Sequence, residues 1–370
     1  MVFPPPSCYH TLMNTLEKTH FYSLTLPQLE QFMAGMGKER FRAQQVYKWV
    51  YEKNITNPEE MTNLSKDFRT KLINEVSFDL PPMVEKKVSS DETRKYLFDI
   101  GNSQTVEAVM IPSDNRRTLC LSSEVGCNLA CKFCFTGKQK LKRRLTAGEI
   151  VGQFLQVKND MGEENKVSNI VFMGMGEPLD NTDAVFDAIE IFKNDFGLNI
   201  GRKKITVSTS GLVPQIPLVT ESGTRLAVSL NAPNDEVRND IMPINKKYPL
   251  SVLMDACKEH ARITKDKITF EYVMLKGVTD DIDHARQVAR LIKDVPCKVN
   301  LIPFNEHPGS GYERPSRNKV FQFQRYLMDK GFNVTIRRTM GRDIFAACGQ
   351  LTSLYKGRPQ QQDVSTGVLG

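Results

Sequence analysis

The sequence predicts an α/β protein whose core is a partial (β/α)6 barrel, preceded by a small N-terminal helical domain and a short β extension. Three observations lead to this fold class. From about residue 117, short β-rich runs alternate with helical stretches, a pattern typical of a parallel sheet. Before residue 80, apolar residues recur at helical spacing. Between these regions, Pro81 and Pro82 end the helical pattern and two β-rich runs follow.

The N-terminal helical domain is expected to span residues 1–80. Phe41, Tyr47 and Trp49 are predicted to pack between its helices. The helices are expected in three amphipathic segments, LPQLEQFMAGMG, FRAQQVYKWVYEKN and EEMTNLSKDFRTKLINEV. The β extension, residues 81–112, is expected to contain the strands RKYLFDI and TVEAVMI, joined by the turn residues GNSQ.

The core is expected to span residues 113–345 and the C-terminal segment residues 346–370, which end in the polar tail KGRPQQQDVSTGVLG. The predicted strands of the core are TLCLSS, NIVFMG, ITVSTS, RLAVSL, ITFEYVML, KVNLIPF and NVTIRR. The helices between them are TAGEIVGQFLQVKND, TDAVFDAIEIFKND, PLSVLMDACKEHARI, DHARQVARLIKDV and FQFQRYLMDKG.

Polar motifs follow five of these strands. Cys127 follows TLCLSS, GMGE follows NIVF, STSG follows ITV, SLN follows RLAV, and Asn305 ends KVNLIPFN. In a barrel the carboxyl ends of the strands meet at one mouth, where active sites are built. The sequence therefore predicts one site assembled from several strands.

Composition limits the class of protein. The chain is 40% hydrophobic and 25% charged, which is ordinary for a globular protein, and its net charge of +7 permits a polyanionic partner. It contains no apolar run as long as a membrane span and no secretory signal, so we expect a cytoplasmic protein without a membrane partner. Eight cysteines in that setting are expected to be reduced thiols, metal ligands or catalytic groups.

Cys127, Cys131 and Cys134 form the pattern C-x3-C-x2-C. A structural zinc site normally has four protein ligands, whereas a cubane iron–sulfur cluster can take three thiolates and leave one iron open. Phe133 and Phe135 flank the third thiol and are expected to keep such a cluster dry. We therefore expect one [4Fe-4S] cluster; a zinc site completed by a distant ligand is the alternative.

This triad after a first β-strand resembles the radical S-adenosylmethionine (SAM) enzymes. GMGEPLDN resembles their motif for the amino end of the cofactor. Together with Cys120, FMGMGEPL, IMPINKKYPL, LIPFNEHPG and RRTMGRDIFAACGQL, the sequence resembles the RlmN/Cfr family of radical SAM RNA methyltransferases over nearly the whole chain. The resemblance implies a barrel of the radical SAM type. It also implies SAM contacts by Gly176, Glu177, Ser208, Ser229, Leu230, Asn231 and Asn305. Asn231 stands where the family pattern has histidine.

The resemblance further implies methylation of carbon 2 of adenosine, in 23S rRNA near the peptidyl-transferase centre and in tRNA 3′ of the anticodon. On the same resemblance, two SAM molecules are used per turnover. The first methylates Cys348; the second yields a 5′-deoxyadenosyl radical that takes a hydrogen from the S-methyl group. Glu107 is then the proton acceptor. Cys120 is the resolving thiol, which leaves a transient Cys120–Cys348 disulfide that an external reductant must reopen. An electron donor such as a flavodoxin system is implied.

The RNA surface is expected at the N-terminal domain and at the basic stretch 138–144, KQKLKRR, just after the cysteine triad. Two other functions remain open. One is methylation at carbon 8 of adenosine, as in Cfr-type enzymes. The other is a non-catalytic RNA-binding protein that holds a structural zinc.

Overall fold

The structure, a computed structural model, describes residues 18–114, 116–162 and 166–352. Cys8 and the whole predicted polar tail, residues 356–370, lie outside these residues. The strands, in chain order, are β1 Thr19–His20, β2 Val76–Ser77, β3 Met83–Val88, β4 Arg94–Asp99, β5 Thr105–Ser113, β6 Arg116–Cys120, β7 Glu124–Val125, β8 Arg143–Arg144, β9 Asn169–Phe172, β10 Ile205–Thr209, β11 Arg225–Ser229, β12 Ile268–Met274, β13 Cys297–Pro303 and β14 Asn333–Ile336.

The helices connect these strands and begin, in most cases, at a side chain that caps the first turn. Thr25 and Thr146 each accept a backbone N–H and belong to a capping box, and Ser65, Asn234, Asp281 and Ser316 cap in the simpler way. The helices are α1 Leu26–Gly35, α2 Phe41–Tyr47, α3 Lys66–Glu75, α4 Ala147–Met161, α5 Thr182–Lys193, α6 Ile216–Ser222, α7 Asp235–Ile241, α8 Leu250–Thr264, α9 Ile282–Ile292 and α10 Arg317–Asp329.

The main sheet has ten strands in the order β14-β13-β12-β11-β10-β9-β6-β5-β4-β3. From β6 to β14 all neighbours are parallel, and each crossover carries at least one helix, as the alternation in the sequence predicts. The sheet is open rather than closed, which confirms a partial barrel. The carboxyl ends of the parallel strands form one mouth.

The predicted β extension is continuous with this sheet. β3, β4 and β5 pair antiparallel with one another, and β5 pairs antiparallel with β6. β3 was not expected from the sequence because its residues, MVEKKV, alternate with charges on a half-exposed edge. The pairing of β5 with β6 places Glu107 and Cys120 on neighbouring strands.

The segments on either side of the N-terminal helices, the 3-10 turn Phe21–Ser23 and the residues at Pro81, approach α4 closely. The Gly148 N–H donates to Ser23 Oγ at 3.1 Å, and a Cβ added at Gly152 would lie 2.3 Å from Pro81 Cδ. Tyr47 is fully buried, but Phe41 is 48% exposed, so the prediction that it packs between helices was wrong. It opens α2 on the solvent side of the helix.

Two predicted helices differ in extent. α2 continues as one turn of π-helix, Lys48–Glu52, and the third helix begins only at Lys66, where Ser65 caps it after a 3-10 turn at Pro58–Glu60. Within the described part of the chain, no helix combines the length and apolarity that crossing a bilayer requires.

Candidate active site

The cysteine loop lies between β7 and β8, which pair and close its base. The Cys127 N–H donates to Gln139 O at 3.0 Å, and the Cys134 N–H to Cys131 O at 3.2 Å. Gly137 packs so closely on this turn that a Cβ there would lie 2.7 Å from Cys131 O. The loop is therefore held by backbone contacts that leave its three thiols to line one cavity at the barrel mouth.

The donor set fits an iron–sulfur cluster. Burial raises the pKa of all three thiols, that of Cys131 to about 12, so a bound metal must displace their protons. Among the described residues, no three His, Cys, Asp or Glu side chains converge on a point where one metal ion could bind. A cubane does not require such convergence, because each thiolate binds a different iron.

The turn after β9 carries Gly176 and Glu177 to the same cavity. Gly176 has φ +96°, and a Cβ there would lie 2.5 Å from Glu124 Cβ, so only glycine fits. Glu177 Oε2 accepts the Ser210 N–H at 2.8 Å and Glu124 Oε2 accepts the Glu177 N–H at 2.9 Å. Burial raises the pKa of Glu177 to about 7 and that of Glu124 to about 8. Glu177 gives this end of the cavity a carboxyl acceptor of the kind that an ammonium group needs, and Glu124, which does not line the cavity, holds the backbone of Glu177 in place.

Arg238 ties the ends of β10 and β11 together beneath the cavity. Its fully buried guanidinium donates to Ser210 O at 2.7 Å, Ser229 O at 3.0 Å and Leu230 O at 3.0 Å. Burial lowers its pKa to about 10. Ser208 and Ser229 line the cavity from these two strands, whereas Leu230 is buried behind it. Arg238 thus fixes the spacing of the two strand ends that were predicted to contact SAM.

The two asparagines of the mouth are engaged with the protein. Asn231 has φ +57°, a conformation that asparagine and histidine tolerate better than most residues. Its Oδ1 accepts the Val273 N–H at 2.9 Å. Asn305 Nδ2 donates to Cys348 O at 3.2 Å, and its Oδ1 accepts from Thr339 Oγ1 at 3.2 Å. Both side chains line the cavity, and Asn305 also positions Cys348.

Cys120 and Cys348 are free thiols close to one positive charge. Cys348 lines the same cavity as the cluster thiols, and Cys120 ends β6 behind it. Burial and the nearby Cys348 raise the pKa of Cys120 to about 12, which the Arg337 guanidinium opposes. Cys348, Glu271 and Cys120 together raise the pKa of Arg337 above its usual value. The arginine therefore favours the thiolate form of Cys120.

Glu107 lies apart from this cavity. It is fully buried on β5, its carboxylate is 3.4 Å from Lys95 Nζ, and its Oε2 accepts the Thr352 N–H at 3.0 Å. Residues 349–352 are held in turn by the cysteine loop, where the Phe135 N–H donates to Gly349 O at 2.8 Å and Thr136 Oγ1 to Leu351 O at 2.7 Å. The C-terminal segment thus links the predicted proton acceptor to the cluster loop.

The basic stretch 138–144 is only partly available to a polyanion. Arg143 donates to both oxygens of Glu149, and Arg144 is paired with Asp180 at 2.9 Å. Lys140 and Lys142 are exposed. Lys138 Nζ donates to Gly309 O. Three of the five cations therefore already have partners within the protein.

Comparison with known proteins identifies the family. Residues 122–289 match the Radical SAM superfamily, and residues 19–77 match the ribosomal RNA large subunit methyltransferase N-terminal domain. The chain is 60% identical over 353 residues to the dual-specificity RNA methyltransferase RlmN of Bdellovibrio bacteriovorus, covering 95% of this chain and 88% of that protein. It is 49% identical to the protein of that name from Geobacter sulfurreducens, covering 89% and 90% of the two chains. The chain belongs to the RlmN family of radical SAM RNA methyltransferases.

A solved structure agrees with this assignment. The crystal structure of a radical SAM methyltransferase from Sphaerobacter thermophilus superposes with a TM-score of 0.85 at 39% identity, over 90% of this chain and 99% of that one. The fold, the family and the enzyme class predicted from the sequence are thereby confirmed. Membership in the RlmN family implies a [4Fe-4S] cluster and SAM. The residues that fit the cluster are Cys127, Cys131 and Cys134.

Four charged residues of this RlmN-family site were not predicted from the sequence: Glu124, Arg238, Glu271 and Arg337. Glu124 precedes Cys127 by three residues, which is the one signal that could have identified it. Arg238 occurs in NDEVRND, a segment that reads as an exposed helix. Glu271 lies within β12 and Arg337 just after β14, and only the pairing of both strands with β13 brings the two residues to the cavity.

Proposed function

We propose that this chain methylates carbon 2 of adenosine in 23S rRNA near the peptidyl-transferase centre and in tRNA 3′ of the anticodon, through an S-methylated Cys348. The single observation that carries the proposal is that Cys348 lines the same cavity as the three cluster thiols, with Cys120 adjoining. The names of its relatives, dual-specificity RNA methyltransferases, support both RNA substrates. We further propose that it acts in the cytoplasm.

The cofactors supply one-electron cleavage of SAM, which allows methylation of a carbon that is too electron-poor to attack a sulfonium methyl group. The residues of the chain do the rest. Gly176 and Glu177 receive the amino end of SAM, while Ser208, Ser229, Leu230, Asn231 and Asn305 surround its carboxylate, ribose and adenine. Two SAM molecules are consumed per turnover, and a reductant such as a flavodoxin system provides the electron.

Cys348 carries the methyl group and becomes covalently joined to the base. Glu107 accepts the C2 proton. Because the Thr352 N–H donates to Glu107 Oε2, this hydrogen bond has to break before that oxygen can take the proton. Cys120 then attacks the Cys348 sulfur, the bond from that sulfur to the transferred carbon breaks, and this carbon takes up a proton to complete the methyl group of the product. That step leaves a disulfide between the two cysteines, and an external thiol reduces it.

Nucleoside analysis tests the proposal. Purified protein, reconstituted anaerobically and reduced, is incubated with SAM and with unmodified 23S rRNA fragments or tRNA, and the digested RNA is examined by mass spectrometry. We expect 2-methyladenosine in both RNAs. Formation of 8-methyladenosine instead would replace the proposed position, and an RNA left without any methyladenosine would refute the activity.

A further inference from the structure

Cys348 lies on a wall that two cavities share. The first cavity contains the cluster thiols; the second is a groove of about 420 Å³ between the adjoining ends of β5 and β6 and the segment 337–340 after β14. Ile302, Asn305, Arg337 and Cys348 line both. None of the three cluster cysteines lines the groove. It therefore reaches Cys348 by a path that does not pass the cluster loop.

A second groove, of about 250 Å³, continues the first along α10. Arg337, Arg338 and Thr339 line both grooves, so the two share one rim. The lining contributes the arginines Arg116, Arg314, Arg317, Arg337 and Arg338, and Asp114 is the single carboxylate among its described residues. Such an excess of one sign creates a potential that attracts a polyanion.

Three of these arginines are free to bind a polyanion. Arg116, Arg317 and Arg338 are exposed, and within the described ranges none of them forms an ion pair with a carboxylate. Arg314, in contrast, donates to Thr339 Oγ1 at 3.1 Å and supports the rim. The free arginines of the grooves thus differ from Arg143 and Arg144 of the basic stretch, whose charges are already matched.

The grooves also offer apolar surface between their charges. Phe321 is 55% exposed on α10 in the second groove, and Pro112 and Met340 line the first. Unpaired bases stack on exposed aromatic and apolar side chains, while arginines track the backbone that joins them. An apolar surface with phosphate-binding groups on either side is what a single-stranded segment of RNA requires.

We propose that these grooves bind a single-stranded RNA segment, with the reacting nucleotide flipped into the groove beside Cys348 and the neighbouring phosphates on Arg116, Arg317 and Arg338. The identity of the flipped base as adenosine rests on the proposed function; the binding site itself does not. On this account Cys348 receives its methyl group from the cluster side and meets the base from the groove side.

A charge-matched pair of variants tests the site. The variant Arg317→Gln/Arg338→Gln removes two groove arginines. The control Arg290→Gln/Arg325→Gln removes two exposed arginines of α9 and α10 that line neither groove. Binding of an RNA hairpin with an adenosine in its loop is measured by fluorescence anisotropy over a range of KCl concentrations.

We expect the groove variant to bind at least about tenfold more weakly than the wild type. The slope of the logarithm of the binding constant against the logarithm of the salt concentration should become smaller in magnitude by about 1 for each arginine removed. The control variant should stay near the wild type in both RNA affinity and its salt dependence. If the groove variant binds the hairpin as the control does, with the same salt dependence, the proposal is wrong.

Cleavage of SAM by the reduced holoprotein, measured without RNA in the same variants, separates this proposal from the proposed function. Normal cleavage together with lost RNA binding supports the groove. Normal cleavage with unchanged RNA binding overturns the groove alone. If even the wild type cleaves no SAM, the proposed function fails, while weakened binding in the groove variant still supports the RNA site.

Discussion

At the scale of single residues, the chemistry depends on which thiol is deprotonated. Burial raises the pKa of Cys120 to about 12, so at neutral pH almost none of it is thiolate. The Arg337 guanidinium is the neighbouring group that lowers this pKa. Cys348, whose backbone carbonyl accepts from Asn305 Nδ2, also lies near this charge. Arg337 therefore acts through the cysteines, as a positioning residue.

Replacing Cys120 should stop the reaction after the base is joined to Cys348. Without a resolving thiol, Cys120→Ala is expected to accumulate a covalent protein–RNA species, seen as a shifted band on a denaturing gel. Cys257→Ala is the matched control, because Cys257 is buried on α8 and does not line the cavity. Free multiple turnover by Cys120→Ala would remove Cys120 from the mechanism.

Removing the charge of Arg337 should slow the same step in a pH-dependent way. Arg337→Met withdraws a cation that lowers the pKa of Cys120, so that pKa rises further and the thiolate fraction falls about tenfold per unit. The protein–RNA species should persist longer near neutral pH and less so as the pH is raised, and Arg337→Lys should restore much of the rate. Equal lifetimes in Arg337→Met and wild type at every pH would contradict this role.

At the scale of elements, the cysteine loop depends on a glycine that allows close backbone approach. A Cβ at Gly137 would lie 2.7 Å from Cys131 O and 3.0 Å from Cys131 N, both of which are backbone atoms. Gly137→Ala should therefore shift the loop and bind several-fold less iron and sulfide per chain after reconstitution. Gly35→Ala, where nothing lies within 4 Å of the added Cβ, is the control. Full iron content in Gly137→Ala would show that the loop has room to adapt.

The elements also show how much of the fold can be predicted from the sequence. The parallel strands were predictable because their β-rich runs are short and separated by amphipathic helices, and the cluster ligands because their spacing is local. α7 was not predicted, since DEVRNDI resembles an exposed polar segment although its Arg238 is fully buried. The contacts of Arg238 and Arg337 join residues from different strands, and no local pattern records such pairing. The extent of the third helix was wrong because the Ser65 cap competes with the helical periodicity that precedes it.

At the scale of the whole molecule, the main sheet carries the site, and residues on either side of the N-terminal helices pack on its helix α4. His20 and Ser23 approach Gly148, and Pro81 approaches Gly152 one turn further along. The chain's net charge of +7 is distributed so that free arginines lie along the groove beside Cys348. The fold thus joins a domain that matches the ribosomal RNA large subunit methyltransferase N-terminal domain to a mouth whose neighbouring grooves are lined by arginines.

The contact between α4 and the first residue of the β extension should be sensitive to side-chain volume. Gly152→Leu places side-chain atoms where a Cβ alone would lie 2.3 Å from Pro81 Cδ. Overpacking of this kind costs about 1–3 kcal/mol of unfolding free energy. Urea unfolding followed by circular dichroism measures it, with Gly35→Ala as the control. A midpoint equal to that of the wild type would mean that α4 and Pro81 are not packed as closely as in the structure.

The most direct test of the central claim follows the hydrogen atoms of the transferred methyl group. Reconstituted, reduced protein is supplied with RNA and with SAM whose methyl group is fully deuterated. The masses of 5′-deoxyadenosine and 2-methyladenosine are then measured by mass spectrometry. The account predicts one deuterium in 5′-deoxyadenosine and a new methyl group that has lost one deuterium, because hydrogen is taken from the S-methyl group of Cys348 before the carbon bond forms. A methyl group that keeps all its deuterium, with none in 5′-deoxyadenosine, would contradict it.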